Sequence, residues 1–368
     1  MLSRGTLAEI SLSSYRHNLR YFIERVYPSH VMAVVKADAY GHGALRISEA
    51  AMTAGADYLA VAFIEEALEL RKSGIDAPIL VFNHIGREYL HSALSEDISV
   101  TVSSHEQLDY WGAFLSDLRG LKIHLKVDTG MKRLGVRPEE VLRTARSIAR
   151  MGAILEGVYS HLSCADERDE SFSLKQKDVF DSVLDELDSA GLLPEQRHLC
   201  NSAGSFRFNS DRYSHVRLGI ASFGLQPSAE VFDSNLEPVL RWKTVISMVK
   251  DIYPGERVSY GGTFVSKRTM RVATIPVGYA DGYNRLLSNC GEVLISGSRC
   301  RILGRVCMDQ FIVDVTGLQD DPEIGDEVVL LGKQGAESIT AEEIASRIGT
   351  INYEVTCSIS RRVPRVLV

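Results

Sequence analysis

No stretch of this chain approaches the ~20 consecutive apolar residues of a membrane-spanning helix. The first residues, Met1-Leu2-Ser3-Arg4-Gly5-Thr6, lack the apolar core of a secretory leader. Long basic runs are also missing and the formal net charge is -7, so neither nucleic acid nor anionic lipid is an expected partner. The six cysteines (Cys164, Cys200, Cys290, Cys300, Cys307 and Cys357) form no CxxC pair and no Cys/His cluster at zinc spacing. They read as thiols of a reducing compartment, and no metal is expected. A GxGxxG does not follow the first strand, which disfavours an open dinucleotide-binding sheet. These absences leave a soluble cytoplasmic protein working on a small molecule as the expectation.

The 368 residues exceed the roughly 250 to 300 at which a single core stops growing, so two domains are expected. Short apolar strands are predicted at 31–36, 58–63, 78–83, 98–103, 122–127, 156–161, 197–201 and 215–220. Amphipathic stretches such as 44–54, 64–72, 139–150 and 174–190 lie between them. Eight strand-helix units in succession predict an α/β fold, an N-terminal (β/α)8 TIM barrel over 1–240. Over 241–368 the texture changes to short β segments at 245–252, 270–277, 292–296, 300–306, 311–315 and 327–331, joined by Gly, Pro and Asp turns. A mostly β C-terminal domain follows, with one helix at 341–348 opened by the capping box Thr340-Ala341-Glu342-Glu343 and closing strands at 355–360 and 363–368. A strand at 7–11 has no evident place.

In a barrel of this type the chemistry gathers at the carboxyl ends of the strands, where loops converge. Reactive residues fall there. The first strand runs into Lys36 and Tyr40, the fifth into Lys126 and Arg133, the sixth into His161, the seventh into Asn201 and Ser202, and the eighth carries Arg217, Gly219 and Ile220. Taken singly these have ordinary readings: Lys36 as a solvated strand end, His161 as a structural histidine, Arg217 as an ion-pair partner. Taken together, a Schiff-base lysine, a hydroxyl and backbone amides fit to cradle phosphate, and an arginine at one mouth describe a site for pyridoxal phosphate.

The chain resembles the alanine racemases nearly end to end. The resemblance is carried in the first domain by Val35-Lys36-Ala37-Asp38-Ala39-Tyr40-Gly41-His42-Gly43, Lys126-Val127-Asp128-Thr129-Gly130-Met131-Lys132-Arg133-Leu134-Gly135, Asn201-Ser202-Ala203 and Arg217-Leu218-Gly219-Ile220. In the second it rests on Val258-Ser259-Tyr260-Gly261-Gly262-Thr263, Gly278-Tyr279-Ala280-Asp281-Gly282, Gly304-Arg305-Val306-Cys307-Met308-Asp309-Gln310 and Ile351-Asn352-Tyr353-Glu354.

The resemblance implies that Lys36 carries the cofactor and that Tyr40, Ser202, Gly219, Ile220 and Tyr353 hold its phosphate, with Asn201 beside it. Arg217 would face the pyridine nitrogen, with His161 behind it. A guanidinium keeps its proton, so that nitrogen would stay unprotonated and the ring would be a weaker electron sink. Racemisation needs an acid/base group on each face of the α-carbon. Lys36 would serve one face, and Tyr260 from the other subunit of a homodimer would serve the other. Tyr279, Cys307, Met308 and Asp309 would line the pocket or its entrance, although tyrosines in a β domain also serve as packing residues. Arg133 would place the substrate carboxylate or the second-base tyrosine, and Lys126 matches a lysine that some members carry as a carbamate, its ordinary reading being a charged lysine with another anion nearby.

The chain departs from the commonest family pattern at Leu7, Asp38, Leu162 and Asn284, none of which is a catalytic group. Expected from all this is interconversion of L- and D-alanine, supplying D-alanine for peptidoglycan. The competing readings are a racemase for serine or basic amino acids, a cofactor carrier without turnover, and an amino-acid decarboxylase. Arg217 opposes the last, which would want a carboxylate at the pyridine nitrogen.

Overall fold

A computed structural model describes residues 4–115 and 117–368. They form two compact units, one from Tyr15–Ala39 with Ala44–Glu237, the other from Pro238–Val368 with residues up to Ser14 and Tyr40–Gly43. Strand β1 (Leu7–Ile10), which the sequence left unplaced, belongs to the second unit.

The first unit is built on eight parallel strands: β2 (His30–Val34), β3 (Tyr58–Val61), β4 (Ile79–Val81), β5 (Ile98–Val102), β6 (Lys122–Lys126), β7 (Ile154–Tyr159), β8 (Gln196–His198) and β9 (His215–Leu218). Each pairs with its successor from β2 to β8, and β9 returns onto β2, where Met32 lies opposite Arg217. At the remaining seam the Arg217 amide donates to the Cys200 carbonyl (2.9 Å), leaving the barrel nearly closed. Every residue of β3, β4 and β5 is buried, because helices cover one face and the barrel interior the other. That two-sided burial is why the strands read as unbroken apolar runs. Each ends short of its expected carboxyl residue, at Val34 before Lys36, His198 before Asn201 and Leu218 before Ile220. The residues beyond turn away from the ladder into the loops.

The second unit holds one large sheet from β1, β10 (Leu240–Val245), β11 (Met248–Ile252), β14 (Met270–Ile275), β15 (Glu292–Ile295), β16 (Ser298–Leu303), β17 (Phe311–Asp314), β18 (Glu327–Gln334) and β20 (Arg365–Leu367), in the order β11-β14-β17-β16-β15-β18-β10-β1-β20. A small hairpin joins β12 (Arg257–Val258) to β13 (Phe264–Val265), and β19 (Glu337–Ile339) extends β18. The expected strand at 245–252 is two strands, β10 and β11, that pair with different neighbours. The helix Ala341–Ile348 starts as expected, the Thr340 hydroxyl accepting from the Glu343 amide (3.1 Å).

One expectation is overturned. Residues 355–360 are not a closing strand, since Val355, Thr356 and Cys357 end the helix Asn352–Cys357. The β-branched side chains of Val355 and Thr356 favour a strand, but tertiary packing overrides that preference. Val355 and Thr356 are buried, the Thr356 hydroxyl bonds back to the Tyr353 carbonyl (3.3 Å), and the Thr356 carbonyl lies against Gly41. Gly41 has φ +85°, and a Cβ there would sit 2.3 Å from the Thr356 oxygen. The Arg365 Nε also donates to the Gly41 carbonyl (2.9 Å), which fixes the residue 40–43 segment within this unit.

Gly41→Ala combines a forbidden contact with a left-handed backbone and should lower unfolding free energy by about 1–3 kcal/mol. Urea titration followed by fluorescence tests this, and an unchanged midpoint would contradict the packing described.

Candidate active site

The loop that carries the lysine is the most strained part of the barrel unit. Directly after β2, Val35 donates to the Ala60 carbonyl (2.8 Å) and the chain enters a helical turn, Lys36–Gly41. That turn is left-handed: Ala37, Asp38 and Ala39 have φ of 52° and Tyr40 has 55°. For residues with a Cβ this costs roughly 1–2 kcal/mol each. Two carboxylates offset part of the cost. The Glu66 carboxylate accepts from the Ala37 amide (2.6 Å) while capping its own helix, Ile64–Lys72, at the Ala62 and Phe63 amides (2.7 and 3.0 Å). Asp38 accepts from the Ala44 amide (2.7 Å), starting the helix Ala44–Ala54. The segment after Lys36 is thus held by acids from its own turn and from the next strand-helix unit.

Inside the barrel, Arg217 is 3% exposed. Its Nη1 donates to His198 Nδ1 and to the His198 carbonyl (2.9 and 3.0 Å), and its Nη2 to the Ser160 and Leu199 carbonyls and to His161 Nδ1 (2.8, 2.9 and 3.1 Å). The ordinary ion-pair reading of Arg217 therefore fails, for its partners are carbonyls and imidazoles. The four Nη hydrogens are committed to the protein, and Nε–H is the remaining donor. Burial pulls the guanidinium down to about 10, still cationic at neutral pH. Burial and then the Arg217 charge push His161 well below the usual histidine range, so it is a neutral ring accepting at Nδ1 and keeping its proton on Nε2.

Beside Arg217, the Ser202 hydroxyl accepts from the Gly219 amide (3.0 Å) and the Ala221 amide (3.4 Å), drawing the loop after β8 to the loop after β9. Asn201 caps the short helix Ser202–Arg207, accepting from the Gly204 amide (2.9 Å), and its Nδ2 donates to the Leu162 carbonyl (3.2 Å). Ile220 opens a 3-10 turn, Ile220–Phe223. Lys126, at the end of β6, is buried with Nζ 5.4 Å over the Tyr159 ring. Burial, then the charges of Arg217, Arg133 and Lys36, lower its amine to about 8. Arg133 itself is exposed, in the loop that Asp128 organises by accepting from the Gly130 and Lys132 amides. Lys36, Lys126, Arg133, His161, Asn201, Ser202, Arg217, Gly219 and Ile220 thus all belong to one unit and its strand carboxyl ends.

The other expected residues lie in the β unit. The Tyr40 and Tyr353 rings are 6.0 Å apart. Tyr260 follows Ser259, which has φ +64° and whose hydroxyl donates to the Arg305 carbonyl (2.7 Å) and contacts Cys307 Sγ (3.3 Å). The Tyr279 and Ala280 amides donate to the Cys307 and Met308 carbonyls (3.0 Å each). The structure therefore brings Tyr260, Tyr279, Cys307 and Met308 together on one surface, with Tyr260 72% and Met308 52% exposed. Asp309 stands slightly apart, paired with Arg362 (2.8 Å). Among the described residues no group of three or more His, Cys, Asp or Glu side chains could hold a metal ion.

Sequence reasoning missed Glu66 and the polar residues below Arg217. Glu66 carried a usable signal, as an acid at the third position of a helix that follows a strand.

A nearly closed eight-stranded parallel barrel on a chain that continues into a mostly β unit is the fold of solved amino-acid racemases. Residues 10–227 match the alanine racemase N-terminal domain and residues 239–367 the alanine racemase C-terminal domain. The chain is 45% identical over 368 residues to an alanine racemase of Symbiobacterium thermophilum, covering 98% of this chain and 97% of that one. It is 43% identical to one of Halothermothrix orenii, at 99% and 97% coverage. Among solved structures it resembles the alanine racemase from E. faecalis (TM-score 0.93, 37% identity, 100% and 99% coverage) and that of Bacillus anthracis with bound L-Ala-P (0.93, 38%, 100% and 96%). The chain belongs to the alanine racemase family.

Glu66→Ala removes the acceptor of three backbone amides, and about 1–2 kcal/mol of stability should go with it. Pyridoxal phosphate should also attach more weakly, because the turn after Lys36 loses its brace. Urea titration and absorbance titration with the cofactor measure the two effects. Loss of stability without any change in cofactor affinity would mean that Glu66 only caps its helix.

Proposed function

We propose that this protein interconverts L- and D-alanine with pyridoxal phosphate, in a homodimer whose subunits share their active sites. The carrying observation is Arg217, a buried guanidinium with every Nη hydrogen committed to the protein and Nε–H as its remaining donor. The donor set fits the cofactor: a primary amine at Lys36, a hydroxyl joined to backbone amides at Ser202, and a cation that does not surrender its proton. When bound, pyridoxal phosphate draws electrons from the α-carbon of an attached amino acid and makes its proton removable.

On this reading Lys36 holds the cofactor and moves a proton at Nζ on one face of the α-carbon. Ser202, Gly219, Ile220, Tyr40 and Tyr353 hold the phosphate, with Asn201 bracing the loop, and Arg217 keeps the pyridine nitrogen unprotonated, with His161 behind it. Tyr260 of the partner subunit moves the proton on the opposite face. Its exposure on its own chain supports that assignment, since a phenol at the surface is available to a second copy. Arg133 would orient the substrate carboxylate, and Tyr279, Cys307, Met308 and Asp309 would form the entrance. Family membership supports a cytoplasmic role in supplying D-alanine for peptidoglycan. Among the described residues no helix is long and apolar enough to cross a membrane.

Lys126 is proposed to be carbamylated: its neutral amine attacks carbon dioxide, a proton leaves, and a cation among cations becomes an anion. An amine lowered to about 8 has a substantial neutral fraction near neutral pH, and that fraction grows as pH rises. With isotope-labelled bicarbonate, carbon NMR should show one protein carbamate that is absent from Lys126→Ala. No such signal in the parent protein would refute the assignment.

In deuterated water with L-alanine, labelled D-alanine should appear, read by chiral chromatography and mass spectrometry. Tyr260→Phe should bind cofactor normally and lose racemisation by at least about 100-fold, the scale of a missing acid/base group. Equal rates in parent and variant would sink the two-base assignment. Carbon dioxide release would revive a decarboxylase.

A further inference from the structure

A buried cation needs a counter-charge, and Arg217 has no carboxylate among its hydrogen-bond partners. The first one reached by hydrogen bonds is Glu156, two imidazoles away. Arg217 Nη1 lies 2.9 Å from His198 Nδ1, His198 Nε2 lies 2.9 Å from His124 Nδ1, and His124 Nε2 lies 3.1 Å from Glu156 Oε2. His124 and His198 are fully buried, and burial lowers both below the usual histidine range, so each ring is neutral with one proton.

The direction of these bonds is then fixed from both ends. A guanidinium only donates, so His198 Nδ1 is bare and Nε2 carries its proton. That proton goes to a bare His124 Nδ1, and His124 Nε2–H goes to the carboxylate, which only accepts. Burial would raise Glu156, but hydrogen bonds from His124, Ser99 and Tyr58 outweigh it and hold the carboxyl below the usual carboxylate range. Tyr58 and Ser99 donate to the same Oε2 at 2.9 and 2.6 Å.

The backbone makes room for this path. A Cβ on Gly157 would lie 2.4 Å from His124 Nδ1, and the β6/β7 register shifts between Ile123 and His124. The Tyr159 ring stacks on His198 (centroids 4.7 Å apart, 11°) and its hydroxyl meets Thr101 (2.9 Å).

We propose that Glu156 is a positioning residue for the cofactor site, acting through His124 and His198 as the remote counter-charge and tautomer lock of Arg217. The proposal rests on the reading of Arg217 as the group that faces the pyridine nitrogen. A donor or a neutral group in place of the carboxylate removes the bias at one end, so the guanidinium alone opposes the other tautomers, which set an N–H against it, and their share rises.

The test is nitrogen NMR of ring-labelled histidines in the cofactor-loaded protein, with the cofactor absorbance followed over pH. The parent should show Nε2–H tautomers at His124 and His198 and an absorbance insensitive to pH around neutrality. Glu156→Gln, nearly the same shape without the charge, should give mixed tautomers, a pH-dependent cofactor absorbance and kcat lower by about tenfold with KM little changed. Gly157→Ala displaces His124 without touching the carboxylate and should do the same, so a folding failure of one variant leaves the other to decide. Unchanged tautomers in both, or altered tautomers with an unchanged absorbance profile, overturn the proposal. If the parent fails to racemise alanine while tautomers and absorbance respond as described, the reaction reading falls and the lock stands.

Discussion

The barrel is organised around one buried guanidinium that no carboxylate touches. Arg217 is solvated by the carbonyls of Ser160, His198 and Leu199, which lie at or just beyond the carboxyl ends of β7 and β8. The Ser160 and Leu199 carbonyls accept from Arg217 beyond the strand ends, whereas the His198 carbonyl serves both the guanidinium and the neighbouring strand, accepting also from the Ser160 amide (3.2 Å). The same cation selects the protonation of its neighbours. His161 and His198 both face it with a bare Nδ1, and a charged imidazole at either place would set donor against donor. The tautomers of the two rings and the polarity of the mouth therefore answer to one charge.

The second constraint is local and is stored in the backbone. Ala37, Asp38, Ala39 and Tyr40 occupy left-handed conformations in sequence, an arrangement that persists only where its surroundings over-determine it. Glu66 and Asp38 do so on the lysine side of the turn, and Arg365 with the Thr356 carbonyl does so at Gly41. A segment held in this way has few alternatives, so each half of the turn is fixed within its own unit.

The strands were legible because parallel strands covered on both faces become apolar runs, and the lysine, asparagine-serine and arginine motifs were legible because they punctuate those runs. The left-handed turn was not, since Ala37-Asp38-Ala39-Tyr40 has no glycine and nothing in local propensity marks it. Strand β1 lies at the opposite end of the chain from its sheet partners β10 and β20, and pairing at that separation leaves no local trace. The helix Asn352–Cys357 hid behind β-branched residues. The path below Arg217 left a signal that can be read afterwards: in Lys122-Ile123-His124-Leu125-Lys126 the polar residues alternate, so His124 and Lys126 share a strand face. In a barrel wrapped by helices, a buried polar face is the interior one.

The charges at the mouth connect stability to ligand binding. Arg217, Arg133 and Lys36 all act on Lys126 in the same sense, with Asp128 opposing them. Like charges gathered in a place of reduced polarity lower the stability of the chain by itself. An anion that binds the folded state relieves the repulsion and stabilises that state by mass action. Under the proposed reading three anions are available to this region: the cofactor phosphate, the substrate carboxylate and a carbamate on Lys126. A carbamate on Lys126 neutralises part of the excess for as long as it is in place, while phosphate and carboxylate meet what remains. The positive surplus that weakens the barrel is then the same surplus that draws cofactor and substrate to it, and a change that removed it to gain stability would weaken anion binding in equal measure.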